Sequence, residues 1–291
     1  MRIKRIAIKK YKNLVDFECE FSDSNISAFI GANGSGKSNL LEVITEVFSI
    51  SKKYCEDTLY NIIVPPEIYG CEIEYEKEGM FYDLKYNKPD VAIYCGGKPL
   101  SKREMNEALP ENIMIYYAGE TARQFRTATE TFDGKYNYRL KHSDNNSFPG
   151  YKYIDYYSVD DLGLLLLTAA VYKGKYYDKL LALLNCKEIL PEINIMLQNP
   201  KGKEQANADT YWGAKGFVQS FLDALRRCVS STQNLLAYYS MDFKEIESFA
   251  KTSKSESEFF AKLKALKNAN YLHWIKLELC EMMEKNSSLI C

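Results

Sequence analysis

Along the first fifty residues the apolar positions change their period twice. Ile3, Ile6 and Ile8 stand among basic partners, and residues 14–21 continue the alternation after Tyr11-Lys12-Asn13, which reads as a turn; the spacing predicts a β-hairpin. Residues 26–30 form a short apolar run, expected to be a strand leading straight into a glycine-rich loop. From there Leu40, Leu41, Val43, Ile44 and Val47 recur at helical spacing and predict a helix over residues 37–51.

Three more strand-like runs follow at 69–75, 80–86 and 91–95, separated by glycines and by Asn87-Lys88-Pro89. Connections this short predict an antiparallel meander. Ser101 is placed to cap a short helix, and residues 113–117 read as another apolar strand, ending at Ala118-Gly119-Glu120. Residues 121–150 are polar and turn-rich, the pattern of a long flexible loop. Beyond it the pattern becomes mainly helical. Ser158 and Asp161 resemble a capping box opening an apolar helix over 162–172, and further helices are expected at 176–186, 211–229, 243–250 and 256–268.

The chemistry lies in the loop between the 26–30 run and the first long helix. Gly31-Ala32-Asn33-Gly34-Ser35-Gly36-Lys37-Ser38 fits the phosphate-binding pattern G-x4-G-K-[ST] at every required position. Glycines let the main chain curl so that successive N–H groups face phosphate oxygens. Lys37 brings a positive charge to the β- and γ-phosphates, Ser38 offers a hydroxyl to Mg2+, and the helix that begins there directs its positive end at the anion. Residues 31–38, with Asn39 behind them, are therefore the candidate contacts for ATP and Mg2+, and Ser38 is the candidate metal ligand.

With this loop in place, the opening of the chain resembles an SMC/RecF/OLD-type ATPase, an ABC-like class often labelled AAA in bacterial defence systems. The residues that carry the resemblance are Ile3-Lys4-Arg5-Ile6, Tyr11-Lys12-Asn13-Leu14, Phe17-x-Cys19-x-Phe21 and the run from Phe29 through Glu42. It is close over residues 1–48 and loose afterwards, and within the class it leans toward ATPases of restriction, retron and Septu-like anti-phage systems. The resemblance implies an α/β fold: a P-loop head with a mixed sheet and antiparallel meander, followed by a mainly helical lobe. On that basis residues 1–120 are expected to be the nucleotide-binding lobe, 121–150 a flexible loop and 151–291 the helical lobe or insertion. It also implies a homodimer or higher oligomer that sandwiches ATP between heads and acts on an effector such as a nuclease, in anti-phage defence or DNA maintenance. Lys12 stands where relatives carry a basic residue that approaches the nucleotide, and Gln124 is the nearest candidate for a metal-sensing glutamine.

The chain departs from that pattern in one respect. It holds no LSxGE-like signature and no apolar strand ending in an Asp-Glu pair; residues 113–120 come nearest, with Glu120 beyond a glycine. The catalytic residues are therefore unknown, and the sequence reads as the N-terminal part of a larger ATPase, a truncation or a degenerate relative. Two functions follow: an ATPase head whose nucleotide-driven engagement controls a partner, or a non-hydrolytic ATP-dependent interaction module. A P-loop kinase shares the loop, but the entry hairpin argues against it.

Composition narrows the rest. A net charge of −1 gives no overall electrostatic reason to bind nucleic acid, and Arg123, Arg126 and Arg139 are diluted by Glu120, Glu130 and Asp133. The 23 tyrosines are spread over strands and helices, as core and rim aromatics are. No apolar run nears the roughly 20 residues of a membrane span. The N-terminus lacks a signal peptide's apolar core, so a cytoplasmic location is expected. The eight cysteines are scattered without a CxxC pair and the two histidines lie far apart, which argues for reduced thiols and against a zinc site.

Overall fold

The computed structural model describes residues 1–24, 26–56, 68–116, 136–140, 146–200, 208–224, 229–232, 236–281 and 286–290. The chain divides into two units, one of Met1–Phe132 with Lys152–Tyr156, the other of Asp133–Tyr151 with Tyr157–Cys291.

The first unit is built on β1 (Arg2–Tyr11), β2 (Leu14–Glu20), β3 (Cys71–Lys77), β4 (Met80–Asn87), β5 (Asp90–Cys95) and β6 (Lys98–Pro99), with helices α1 (Lys37–Cys55) and α2 (Lys102–Ala108). The strands form one antiparallel sheet in the order β2-β1-β3-β4-β5-β6. Period-two patterning fixes its register. Ile6, Ile73, Leu84 and Ile93 lie opposite one another across four strands, as do Ile8, Cys71, Tyr86 and Val91, and all eight are buried. Leu40, Val43, Val47 and Phe48 of α1, with Met105 and Ala108 of α2, close this core. The other face is charged: Arg5 bonds both Glu18 and Glu74 across strands, and Lys85 lies 3.5 Å from Glu72. A slip of one residue would exchange these faces. Ser101 caps α2 in a complete capping box with Glu104. A two-stranded pair of β7 (Ile113–Tyr116) with β8 (Ile154–Tyr157) completes the regular structure here.

In the second unit a helix at residues 136–140, α3, is followed by a short 3-10 turn, Val159–Asp161, opened by the Ser158–Asp161 capping box. Then come α4 (Leu162–Tyr172), α5 (Tyr177–Leu183), β9 (Cys186–Gln198), α6 (Gly216–Asp223), β10 (Val229–Thr232), β11 (Leu236–Met241), α7 (Phe243–Ala250), α8 (Glu256–Asn268), β12 (Leu272–Glu281) and β13 (Asn286–Ile290). The strands make an antiparallel sheet, β10-β11-β9-β12-β13. Its buried residues Ile193, Ile195, Leu197, Ile275, Leu277 and Leu279 join one core with the helices, in which Phe217, Phe221, Phe249 and Phe259 make successive ring contacts at centroid distances of 4.6–5.5 Å.

Several expectations change. Residues 26–30 are not a strand: no ladder pairs with them among the described residues, and Ile26 and Ile30 are 81% and 98% exposed. Apolar character alone makes no strand without a neighbouring edge to bond. Within the expected loop 121–150, residues 136–140 are helical, with Tyr136 and Leu140 buried in the second core; the remainder lies mostly outside the described residues. The helical lobe carries the expected helices but also a five-stranded sheet that the helical periods gave no sign of. The run expected as a helix to residue 186 stops at Leu183, because Cys186 already starts β9. The helix expected over 211–229 is only Gly216–Asp223, preceded by a 3-10 stretch, Ala208–Gly213. Among the described residues no helix is long and apolar enough to cross a membrane.

Candidate functional site

The candidate site is assembled where the β1–β2 turn meets the start of α1. Lys12, at φ +49°, makes the turn, so Asn13 and Leu14 come back toward the glycine-rich loop. Gly34 and Gly36 both lie in the left-handed region, at φ +82° and +95°, where side chains are strained. Gly36 is doubly required, since a Cβ there would stand 2.9 Å from Leu14 Cδ2 and 3.2 Å from Asn13 Oδ1.

Lys37 organises the loop from within. Its Nζ donates to the carbonyls of Gly31 at 2.7 Å and Ala32 at 2.8 Å, and lies 3.4 Å from Ser35 Oγ. The chain is thus curled around an ammonium group. Ser35 N donates to Ala32 O at 3.2 Å, which tightens the curl. Behind it α1 begins without a side-chain cap on Gly36 and without an acid in its first turn; its first intrahelical bond is Leu40 N to Gly36 O at 2.8 Å. The N–H groups just ahead of that bond have no helical carbonyl to reach, and they sit at the positive end of a 19-residue helix. Exposed donors, a lysine and a helix N-terminus without a capping side chain suit an anion with several oxygens. The Ser38 hydroxyl beside them suits a hard cation carried by that anion.

Next to the loop lies an apolar cleft of about 410 Å3, lined by Leu14, Phe17, Phe29, Ile30 and Leu40 with the loop itself. Phe29 is held in it by an edge-on contact with Phe21, ring centroids 5.7 Å apart.

Residues 31–39 form this loop and the first turn of α1. Lys12 is directed elsewhere: its Nζ bonds Glu42 Oε2 on α1 at 2.7 Å and lies 5.0 Å from the centre of the Tyr11 ring. Gln124, Arg123 and Arg126 lie outside the described residues. Sequence reasoning missed Asn13, whose Nδ2 donates to Gly34 O at 2.9 Å while its Oδ1 accepts from Asn39 Nδ2 at 2.7 Å. Its position in the turn was visible; its contact with the loop needed the fold. No group of three or more His, Cys, Asp or Glu side chains suited to a metal occurs among the described residues.

A family model described as the AAA ATPase domain matches residues 1–277. The chain belongs to that family. It is therefore an ATP-binding ATPase domain of mixed α/β fold, of a family whose members use a nucleotide and usually Mg2+. No curated protein matches the chain. Among solved structures, the SMC head bound to the C-winged helix domain of ScpA is similar at 13% identity with a TM-score of 0.26, over 64% of this chain and 55% of that one. The chain thus spans about half the length of that relative.

Proposed function

We propose that residues 31–38 bind the triphosphate of ATP, and that two such heads engage through bound nucleotide to control a partner protein, an effector such as a nuclease in anti-phage defence. The observation that carries the reading is the loop curled around Lys37 at the uncapped start of α1. Lys37 supplies the charge that neutralises the β- and γ-phosphates, the N–H groups at the start of α1 bond their oxygens, and Asn39 supports the loop from the helix side. Bound Mg2+, held on the phosphate side by Ser38, would draw off phosphate charge.

The alternative reading is a non-hydrolytic module that binds ATP to present a surface, and it is motivated by the missing signature segment and acidic pair. Calorimetry with Mg-ATP tests the common core of both. Lys37→Ala is expected to weaken binding by at least about a hundredfold, as loss of a charged contact to a polyphosphate does. Equal heats from wild type and variant would refute it. Phosphate release by the wild-type chain that vanishes in Lys37→Ala favours the ATPase over the module. A rise in sedimentation coefficient with ATP, absent in Lys37→Ala, tests head pairing.

A further inference from the structure

We infer that Asn13 is the positioning residue of the phosphate loop: its side-chain amide holds the Gly34–Ser35 peptide in the one orientation that leaves the loop ready for phosphate. The inference rests on the triphosphate reading above and deepens it.

A left-handed Gly34 has free space around the place of its missing Cβ, and glycine crosses between φ regions at little cost, so nothing in its own chemistry fixes the peptide that follows. In a trans peptide the C=O and N–H point in opposite directions, so turning the Gly34–Ser35 plane over reverses both. In the structure each end of that plane is held. Gly34 O accepts from Asn13 Nδ2 at 2.9 Å, and Ser35 N donates to Ala32 O at 3.2 Å. The second bond lies within the loop and moves with it. The first is anchored outside, in the β1–β2 turn, whose strands share the buried core of the sheet.

The amide itself is oriented. Asn39 Nδ2 donates to Asn13 Oδ1 at 2.7 Å, which turns the Asn13 Nδ2 toward Gly34. The carbonyl oxygen of Gly34 is thereby drawn to the hairpin rather than left to face an incoming anion, where it would repel phosphate. Gly36 makes the approach possible, since any side chain there would meet Asn13 and Leu14. Sheet, turn, amide and loop form one chain of contacts, and a population of flipped loops is what it suppresses. Apparent affinity scales with the fraction of loops in the competent form.

Titration with a fluorescent ATP analogue and Mg2+ tests the inference, with thermal midpoints measured on the same samples. Asn13→Ala is expected to weaken binding about tenfold, the size of one lost hydrogen bond at the upper end of its range. Its midpoint should stay within about 2 °C of wild type, since the turn carries little of the core. Asn39→Ala, which frees the Asn13 amide to rotate, is expected to cost about threefold. Because Asn39 acts through Asn13, the double variant should bind no worse than Asn13→Ala within about twofold. Wild-type affinity in Asn13→Ala, or multiplying effects in the double variant, would overturn the inference while leaving the triphosphate reading intact. A wild-type chain that takes up no nucleotide overturns the reading and the inference with it.

Discussion

The phosphate loop and the aromatic core of the second unit are held by opposite means. The loop is kept in shape by exchangeable polar contacts, a lysine on two carbonyls and an amide on a third, at a helix start without a side-chain cap. The core of the second unit is kept by rings and by a buried ion pair that no ligand can replace. The difference separates binding from stability. Substitutions in the loop should change affinity and leave unfolding nearly alone, and those in the core should do the reverse.

The largest expected effect tests the second half of that statement. Phe221 is 3% exposed and lies 4.6 Å from Phe249 and 5.5 Å from Phe217, centroid to centroid. Truncating it to alanine removes the ring and leaves a cavity in a close-packed interior, at a cost of about 4 kcal/mol. Urea unfolding of Phe221→Ala is expected to show that loss in a transition belonging to the second unit, with ATP affinity below the transition unchanged. A loss of affinity to match would show that the loop depends on this core, and the contrast would collapse.

A smaller effect comes from the ion pair under α4. Asp161 is buried, and Lys264 Nζ lies 2.5 Å from its Oδ2 and Lys267 Nζ 3.0 Å from its Oδ1. Burial by itself raises this carboxyl, but the two ammonium groups and the Ser158 N–H outweigh it and leave its pKa below the ordinary value. A depressed folded pKa stabilises above the unfolded value, near 4, and that stability is lost as pH falls through the folded one. Lys264→Met should therefore cost about 2 kcal/mol at pH 7, less than a fully orphaned charge because Lys267 remains. Stability of the variant relative to wild type should recover as the pH is lowered below about 4, since protonation removes the stranded charge. A deficit unchanged down to pH 3 would mean that Lys264 contributes by packing instead.

Legibility in the sequence followed the range of the forces involved. The β1–β2 hairpin, the meander of β3 to β5 and α1 were readable because each has a local period, and the phosphate loop because its residue types are set by backbone geometry. The Ser101 cap and the Ser158–Asp161 capping box were equally local. The second sheet was not read, although Ile193, Ile195 and Leu197 alternate with Asn194 and Met196. Pro191 stands in that segment and speaks against a central strand; the structure places it between the pairs Leu277–Ile193 and Leu279–Ile189, where the register shifts and β11 no longer runs alongside. Residues 26–30 failed in the other direction: their composition suits a strand, but strand pairing is a property of two segments. Asn13 was missed for the same reason, since its two partners are 21 and 26 residues away.

The smallest expected effect tests the boundary between the two regimes, at Lys12. Family resemblance sends this side chain to the nucleotide, whereas the structure pairs it with Glu42, a carboxylate only 9% exposed, next to residues that brace the loop. Removing Lys12 strands that carboxylate at the edge of the core, so Lys12→Ala should lower stability by about 1 kcal/mol, the upper range for a pair with one exposed partner. If the ion pair persists when ATP binds, affinity should fall by less than about threefold, under about 0.7 kcal/mol. If Lys12 leaves Glu42 for the phosphates, affinity should fall about tenfold, and Glu42→Gln, which releases the lysine, should bind ATP more tightly than wild type. Measuring both variants by titration and by thermal unfolding assigns Lys12 to the loop or to the scaffold, because only a phosphate contact makes the two substitutions move affinity in opposite directions.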